Sequence, residues 1–460
     1  MKDVIKTLVI LIAYFGVGPM LGMMIASSRK AQRLVFCIMM VMPCLQPGKI
    51  TLMVDSWEFY RGHTKGFEAN WIEVLGIAII VASSKNRLKG EKWRLLTPGA
   101  FIYLSWAFLS MLSILTAGDK VFTLMAGFKF TNAVIIFIAA AHFLRDEQDL
   151  NWIMRAVAGA QIFYMLLCLK MRYLDGMFQI KGWFEHQNPM AMWCYMSGIP
   201  LLAVALHGKT TLRDSLIYLG GFGGAAVCIL LSVSRAGLGA LAVGAVAVLA
   251  MAWLRGPNLR VTLVTAGGIV GAFIVSAFAM NSFHARLNEV AQTAETTEFD
   301  LRDILNMQSR AMLHDSPIGI GWNNFGIMNS RPAGDKYSEI LEEWDESRGF
   351  RIYDENYHAN PLTESLYWLM LAETGYPGFV AFVSFAAATV WFGLRALWRY
   401  RDSALGAFAG GALAMLSICY LHGTVERILT QTKNLSFWML MCGLLAGLQA
   451  MAKRENEVTA

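Results

Sequence analysis

Ala372-Glu373-Thr374-Gly375-Tyr376-Pro377-Gly378 closes a long polar stretch and opens an apolar run. Upstream of it, residues 282–360 form the one long hydrophilic insert, with 14 Asp/Glu against 7 Lys/Arg. The junction places three titratable groups, His358, Glu364 and Glu373, at the mouth of a hydrophobic bundle. Functional residues concentrate on loops carried by a rigid scaffold.

Outward from that junction the chain is apolar. Of 460 residues, 56% are hydrophobic and 16% charged, with a mean hydropathy of +0.46. Ordinary globular domains carry about 25% charged residues. Many runs are long enough to span a bilayer, so the expected fold class is an all-α polytopic membrane protein. Candidate spans are 4–27, 33–46, 70–84, 98–116, 121–144, 152–174, 189–206, 214–232, 236–254, 261–281, 376–397, 404–422 and 434–452. The runs at 33–46 and 70–84 are short, which sets the expected count at 12 or 13 crossings. Three segments follow: an N-terminal bundle over 1–281, a large loop with short helices over 282–375, and C-terminal helices over 376–460. The first apolar run lacks the short core and small-residue cleavage site of a signal peptide and reads as a membrane helix.

Cation-rich loops set the orientation. Arg29, Lys30 and Arg33; Lys85 to Arg94; Lys209 and Arg213; Arg255 and Arg260; Arg395, Arg399 and Arg401; and Lys453 with Arg454 fall on one side, read as cytoplasmic. The acidic loop Arg145-Asp146-Glu147, with Asp149, is a poor fit to that side. The insert 282–360 then faces outward. The net charge of +6 is accounted for by these loops and anionic membrane lipid, not by nucleic acid. All seven cysteines lie in or beside apolar runs with no C-x-x-C and read as small buried hydrophobes.

Four polar constellations gather on the outer side. Lys181 to Pro189 precedes a span; Asn188 reads as its N-cap, and Lys181, Glu185 and His186 exceed what a cap needs. Ser234-Arg235-Ala236 opens another span, where Arg235 serves either as an interfacial anchor or as a guanidinium aimed at phosphate. Leu301 to Met312 has helical apolar spacing, with Arg302 and Asn306 on the other face and Arg310 nearby. That helix stops at Asp315-Ser316-Pro317, before Gly319-Ile320-Gly321-Trp322-Asn323-Asn324-Phe325. Tyr353 to Pro361 leads into a short helix, 362–374, carrying Glu364. Asp354, Glu355 and His358 match no dedicated ligand spacing, so no metal is assigned.

Taken in order, these elements resemble the O-antigen ligase and polymerase superfamily of bacterial polysaccharide enzymes. Gly182, Phe184 and Asn188 resemble its G-x-F-x-x-P-N element, with Gln187 in place of proline. Ser234-Arg235-Ala236 resembles its S-R-G/A element. Arg302 followed by Pro317, Gly319, Gly321 and Phe325 resembles its arginine and P-x-x-G-x-G-x-x-x-F element, one residue shorter. Gly375 and Gly378 resemble the glycines of H-N, nine residues, G-x-x-G; Glu364 and Ser365 then stand where His and Asn are usual, and His358 lies six residues upstream of Glu364.

The resemblance implies a multi-pass protein of the bacterial inner membrane with its active site facing the periplasm. It implies transfer of a glycan from an undecaprenyl-diphosphate-linked donor to a glycan or lipid acceptor hydroxyl, as ligase or polymerase, with inversion and without metal or other cofactor. On that reading Glu364 or His358 is the base. Arg235, Arg302, Arg310 and Lys181 bind diphosphate, and His186, Asn188 and Asn324 bind substrate. A transporter or flippase of lipid-linked sugars is the alternative from another class; it calls for charges within the spans, where only Lys129 and Glu73 stand out. A protein O-oligosaccharyltransferase is the third.

Overall fold

With no water in a bilayer core, backbone N–H and C=O groups must pair inside the segment, which leaves helices for a chain this apolar. The structure, a computed structural model, describes residues 2–45, 51–57, 60, 62–85, 93–271, 273, 297–329, 337, 339–340 and 362–459. In chain order the elements are α1 (Lys2–Ile25), α2 (Arg29–Leu45), a hairpin of β1 (Thr51–Val54) and β2 (Phe67–Asn70), α3 (Trp71–Lys85), α4 (Pro98–Leu115), α5 (Lys120–Phe143), α6 (Glu147–Tyr173), α7 (Gln187–Ala205), α8 (Leu212–Ser232), α9 (Arg235–Leu254), α10 (Leu259–Gly271), α11 (Thr297–Asp315), α12 (Phe325–Met328), α13 (Leu366–Arg399), α14 (Ala404–His422) and α15 (Thr432–Thr459). The all-α polytopic expectation holds, apart from the antiparallel hairpin, which pairs Thr51 with Asn70 and Val54 with Phe67.

Nine helices among the described residues are long and apolar enough to cross a membrane, against the 12 or 13 runs expected. Of the expected run 261–281 only residues 261–271 and 273 are among the described residues, and the other differences have local causes. α2 and α3 are short, as the sequence indicated, and α2 holds Pro43 inside it. α7 begins with the polar Gln187-Asn188, and from Pro189 to Ala205 every residue is buried. It is enclosed by α8, α9, α14 and α15 rather than by lipid.

Charges near the core are answered in pairs. Lys129 Nζ reaches Glu68 Oε2 at 3.3 Å and donates to the His63 carbonyl at 2.7 Å and Thr432 Oγ1 at 3.0 Å. Glu73 accepts from the Tyr14 hydroxyl and from Asn70 N at 3.0 Å. The acidic loop that fitted its side poorly finds its reason here. Asp149 accepts from Arg29 and, at 2.7 Å, from Arg33 Nε, while Asp146 caps α6. Those carboxylates neutralise arginines of the same side. All seven cysteines are buried and unpaired.

The junction at Gly375 is a chain crossing. The short helix and the separate span expected here are both present: α13 is two helices meeting at a kink at Gly375 (φ 62°, ψ −168°), the first starting at Leu366 rather than 362. Only glycine occupies that region readily. The bend lets the 317–320 backbone dock: Tyr376 N donates to Pro317 O at 2.9 Å and Ile320 N to Ala372 O at 2.9 Å. A Cβ on Gly375 would overlap the backbone of Pro317 to Gly319, and one on Gly319 (φ 94°) would overlap Glu373. Trp322 is thereby driven into the bundle, stacked on Phe130 with ring centroids 4.4 Å apart.

Gly375→Ala meets both the φ penalty and backbone overlap. It should lower the yield of monodisperse protein in detergent and its melting temperature. Gly223→Ala, where a Cβ meets no atom within 4 Å, should leave both unchanged. Equal behaviour of the two variants, read by size exclusion and thermal unfolding, contradicts the crossing.

Candidate functional site

The N-terminal ends of α7, α9 and α13 and the C-terminal end of α14 come together. α7 starts two residues earlier than its sequence indicated: His186, not Asn188, is the N-cap, with Nδ1 accepting from Asn188 N at 3.4 Å. The Asn188 side chain is therefore released to bridge. Its Oδ1 accepts from Ser234 Oγ at 3.1 Å and its Nδ2 donates to Glu426 Oε1 at 2.8 Å. Ser234 also caps α9, accepting from Gly237 N at 3.3 Å. The turn into it holds Val233 at φ 57°, a left-handed conformation that costs a β-branched residue on the order of 1–3 kcal/mol. Arg235 follows at the first position of α9, exposed and with no hydrogen-bond or ion-pair partner among the described residues.

The second node is Arg302 with Glu364. Arg302 Nε and Nη2 reach Glu364 Oε2 at 2.6 and 2.5 Å, and the two side chains are 33% and 41% exposed. Arg302 comes from α11, which ends at Asp315 as its sequence indicated. Glu364 does not sit within a helix. It lies just before Ser365, the N-cap of α13, which accepts from Trp368 N at 3.5 Å. Arg310 stacks over the Trp368 ring, 4.8 Å from its centroid.

The nodes are joined. Leu366 N donates to Gly423 O at 2.9 Å, tying the start of α13 to the turn after α14. Glu426 lies on that turn, and its N donates to His422 O at 2.9 Å. Burial pushes the Glu426 carboxyl up from 4.5 to about 7, and the charge of Glu364 adds to the rise; Arg302, Arg427 and the Asn188 hydrogen bond oppose it. Sequence reasoning missed Glu426. Its signal was a lone acid in Gly423-Thr424-Val425-Glu426-Arg427, the turn between two apolar runs.

The remaining expected residues fall into three groups. Asn324 is buried and its amide is spent inside the fold: Oδ1 accepts from Asp119 N at 2.7 Å, and Nδ2 donates to Thr123 Oγ1 at 2.9 Å and Trp322 O at 3.1 Å. Lys181 is exposed, and Gly182 (φ 55°) lets the chain pass against the Tyr164 hydroxyl, which accepts from Trp183 N at 2.7 Å. His358, with Asp354 and Glu355, lies outside the described residues. Among the described residues no three His, Cys, Asp or Glu side chains group as metal ligands. Glu373, read at the mouth, is 1% exposed instead: it accepts from Asn323 N at 2.9 Å and Phe325 N at 3.0 Å, with His63 Nε2 3.0 Å away. It latches the Gly319–Phe325 loop.

Two arginines, two carboxylates and a bridging amide on one rim suit an anionic leaving group and a proton to be removed. No curated protein matches the chain. A family model described as O-antigen ligase matches residues 220–383, a stretch that holds Arg235, Arg302 and Glu364 and leaves Asn188 and Glu426 outside. Over residues 220–383, about a third of the chain, the sequence is thus similar to the O-antigen ligase family, which supports the resemblance to the O-antigen ligase and polymerase superfamily.

Proposed function

We propose that this protein transfers a glycan from an undecaprenyl-diphosphate-linked donor to an acceptor hydroxyl at the periplasmic face of the bacterial inner membrane, as ligase or polymerase. The observation that carries the reading is the Arg302–Glu364 pair set beside Glu426 and Asn188. A lipid diphosphate is a good leaving group, so its departure needs cationic stabilisation more than a strong acid. Arg235 and Arg302 fill that part, with Arg310 and Lys181 as outer cations, and a metal is then dispensable. The acceptor hydroxyl needs a proton acceptor within hydrogen-bond reach.

In the free protein Arg302 is occupied by Glu364. A diphosphate arriving at Arg302 competes for the same guanidinium donors and frees the Glu364 carboxylate for the acceptor hydroxyl. Attack from the face opposite the leaving diphosphate breaks one C–O bond, forms another and inverts the anomeric centre. Glu364 takes the hydroxyl proton and the diphosphate leaves with the bonding pair. The charge of Glu364 reaches Glu426 and helps burial hold the proton there. We assign His186 and Asn188 to the acceptor side, with Asn324 shaping the Gly319–Phe325 loop.

Glu364→Gln should lower transfer in vitro by about 10²–10⁴-fold, the range for a positioned acid–base group. Full activity in that variant together with loss of activity in His358→Ala assigns the base to His358 instead. Arg302→Lys keeps the charge and loses the planar fork; turnover should fall by about tenfold or more, while the same activity in Arg302→Lys and Arg235→Lys as in the parent protein removes the clamp.

Glu426 gives a separate pH test. Its folded value lies above its unfolded one, so the folded state holds the extra proton and stability falls as pH rises from 4.5 to about 7. Glu426→Gln should flatten the melting-temperature profile across that window. It should also remove a limb near pH 7 from the rate profile. A limb that persists unchanged in the variant takes Glu426 out of the pair.

A further inference from the structure

α7, α9 and α14 pack against one another and carry the Asn188, Ser234 and Glu426 rim at one end. Their other ends, after Ala205 and Leu254 and before Ala404, enclose a cavity of about 540 Å³. At 1.5 Å per residue, helices of 19 or 20 residues set the two ends roughly 30 Å apart. Pockets of this size take drug-sized molecules or lipid headgroups. The reaction proposed above has no use for this one.

Its polar wall is cationic. Lys209, Arg255 and Arg401 line it, with His207 and a single acid, Asp402. Arg401 Nε pairs with Asp402 at 3.2 Å, and Arg255 Nη2 donates to Gly406 O at 3.1 Å. Glu147 is nearby, but its carboxylate is committed to Ala404 N at 3.2 Å. Lys209 has no hydrogen-bond or ion-pair partner among the described residues. The His207 Nε2 atom is shielded from solvent and has no hydrogen-bond partner either. Burial, then the Arg255 charge, holds His207 below its ordinary value, which disfavours a further cation at this wall.

The opposite wall is apolar, with Val248, Met251, Ala252 and Leu254 of α9. Leu254 is 88% exposed, and Val243 and Val246 are exposed farther along the same helix. An apolar helix face exposed to this extent lies against acyl chains. A ligand here has an anionic phosphate at one end and hydrocarbon at the other.

We propose that this cavity is a binding site for the headgroup of an anionic phospholipid, its phosphate held by Lys209, Arg255 and Arg401 and its acyl chains laid along α9. Cationic pockets between membrane helices recognise such headgroups by charge and by fit to the apolar wall together. The site sits on the side whose loops are rich in Lys and Arg, at the far end of the three helices that carry the rim. It is independent of the transfer chemistry, so activity of the rim and occupancy of this cavity are separable measurements.

The test is native mass spectrometry of the full chain in detergent, titrated with phosphatidylglycerol, phosphatidylcholine or inorganic phosphate. Phosphatidylglycerol should be retained in preference to phosphatidylcholine. Lys209→Ala with Arg401→Ala, both on exposed side chains, should weaken that retention about fivefold for each cation removed. Arg255→Ala should weaken it too, and a melting curve checks that its fold survives loss of the Gly406 contact. Equal retention of the two lipids overturns recognition by charge. Unchanged retention by the double variant overturns the site. Displacement of phosphatidylglycerol by inorganic phosphate at similar concentration shows a free-phosphate site and overturns the lipid assignment.

Discussion

A carboxylate that is 1% exposed within a membrane bundle has to be answered almost atom by atom, and Glu373 is. Two backbone N–H groups, from Asn323 and Phe325, and the His63 ring converge on it. Leaving either amide unpaired would cost about 1–3 kcal/mol. The same bonds fix the Gly319–Phe325 loop against α13, which is possible only because α13 bends at Gly375. Three consequences follow. Trp322 enters the aromatic core, Asn324 ties the loop to Asp119 and Thr123, and Asn323 Oδ1 accepts from His63 N at 2.7 Å, binding in the segment before the hairpin's second strand. The first turn of α13 inherits its direction from this crossing. That turn begins with the Ser365 cap, and Glu364 precedes it. The distance between Glu364 and Arg302 is therefore set by a buried latch more than two helical turns away.

The rim gives its two carboxylates different environments, and that difference makes it chemically useful. Glu364 is partly exposed and shares its charge with Arg302. Glu426 is largely desolvated, bonded to Asn188, and repelled by Glu364. Groups whose surroundings push them apart in this way divide acid and base roles in many active sites. Here one carboxylate is held by the cation that an incoming diphosphate would claim, and the other titrates near neutrality. On the proposed function, a diphosphate at Arg302 would change the charge balance of the pair.

Much of this was legible in the chain. The apolar runs announced the helices, the Leu301–Met312 spacing announced α11, and its stop at Asp315 was marked by Ser316-Pro317. Arg302 and Glu364 were singled out by spacing to glycines whose backbone need is physical, since Gly319 and Gly375 occupy conformations that a side chain would block, and Arg235 by the Ser-Arg-Ala opening of a span. What the sequence hid was tertiary. Glu373 and Glu364 are both acids near the same junction, and only packing shows one buried as a latch and the other exposed at the rim. Asn188 was read as a cap because Asn often caps; His186 took that place, and the amide turned to Ser234 and Glu426 across more than 40 and 230 residues of chain. Glu426 sits in a five-residue turn with no motif around it. Its raised value comes first from burial and then from the charge of Glu364, far away in the chain, and no local window contains either.

The two arginines also differ, and the difference bears on what the rim awaits. Arg302 has a carboxylate partner; Arg235 has none among the described residues. Arg235 stands at the first turn of α9, where the N–H groups and the helix dipole are already positive, so a cation there is disfavoured by about 0.3–1 kcal/mol. The preceding residues do not relieve it: Ser234 spends its hydroxyl on the cap and on Asn188, and Val233 is held left-handed. A strained turn that presents an unpaired guanidinium beside helix N–H groups is unfavourable on its own and is stabilised by an anion. A diphosphate bridging Arg235 and Arg302 would satisfy the first and release Glu364 from the second, so one binding event both stabilises the leaving group and uncovers the base.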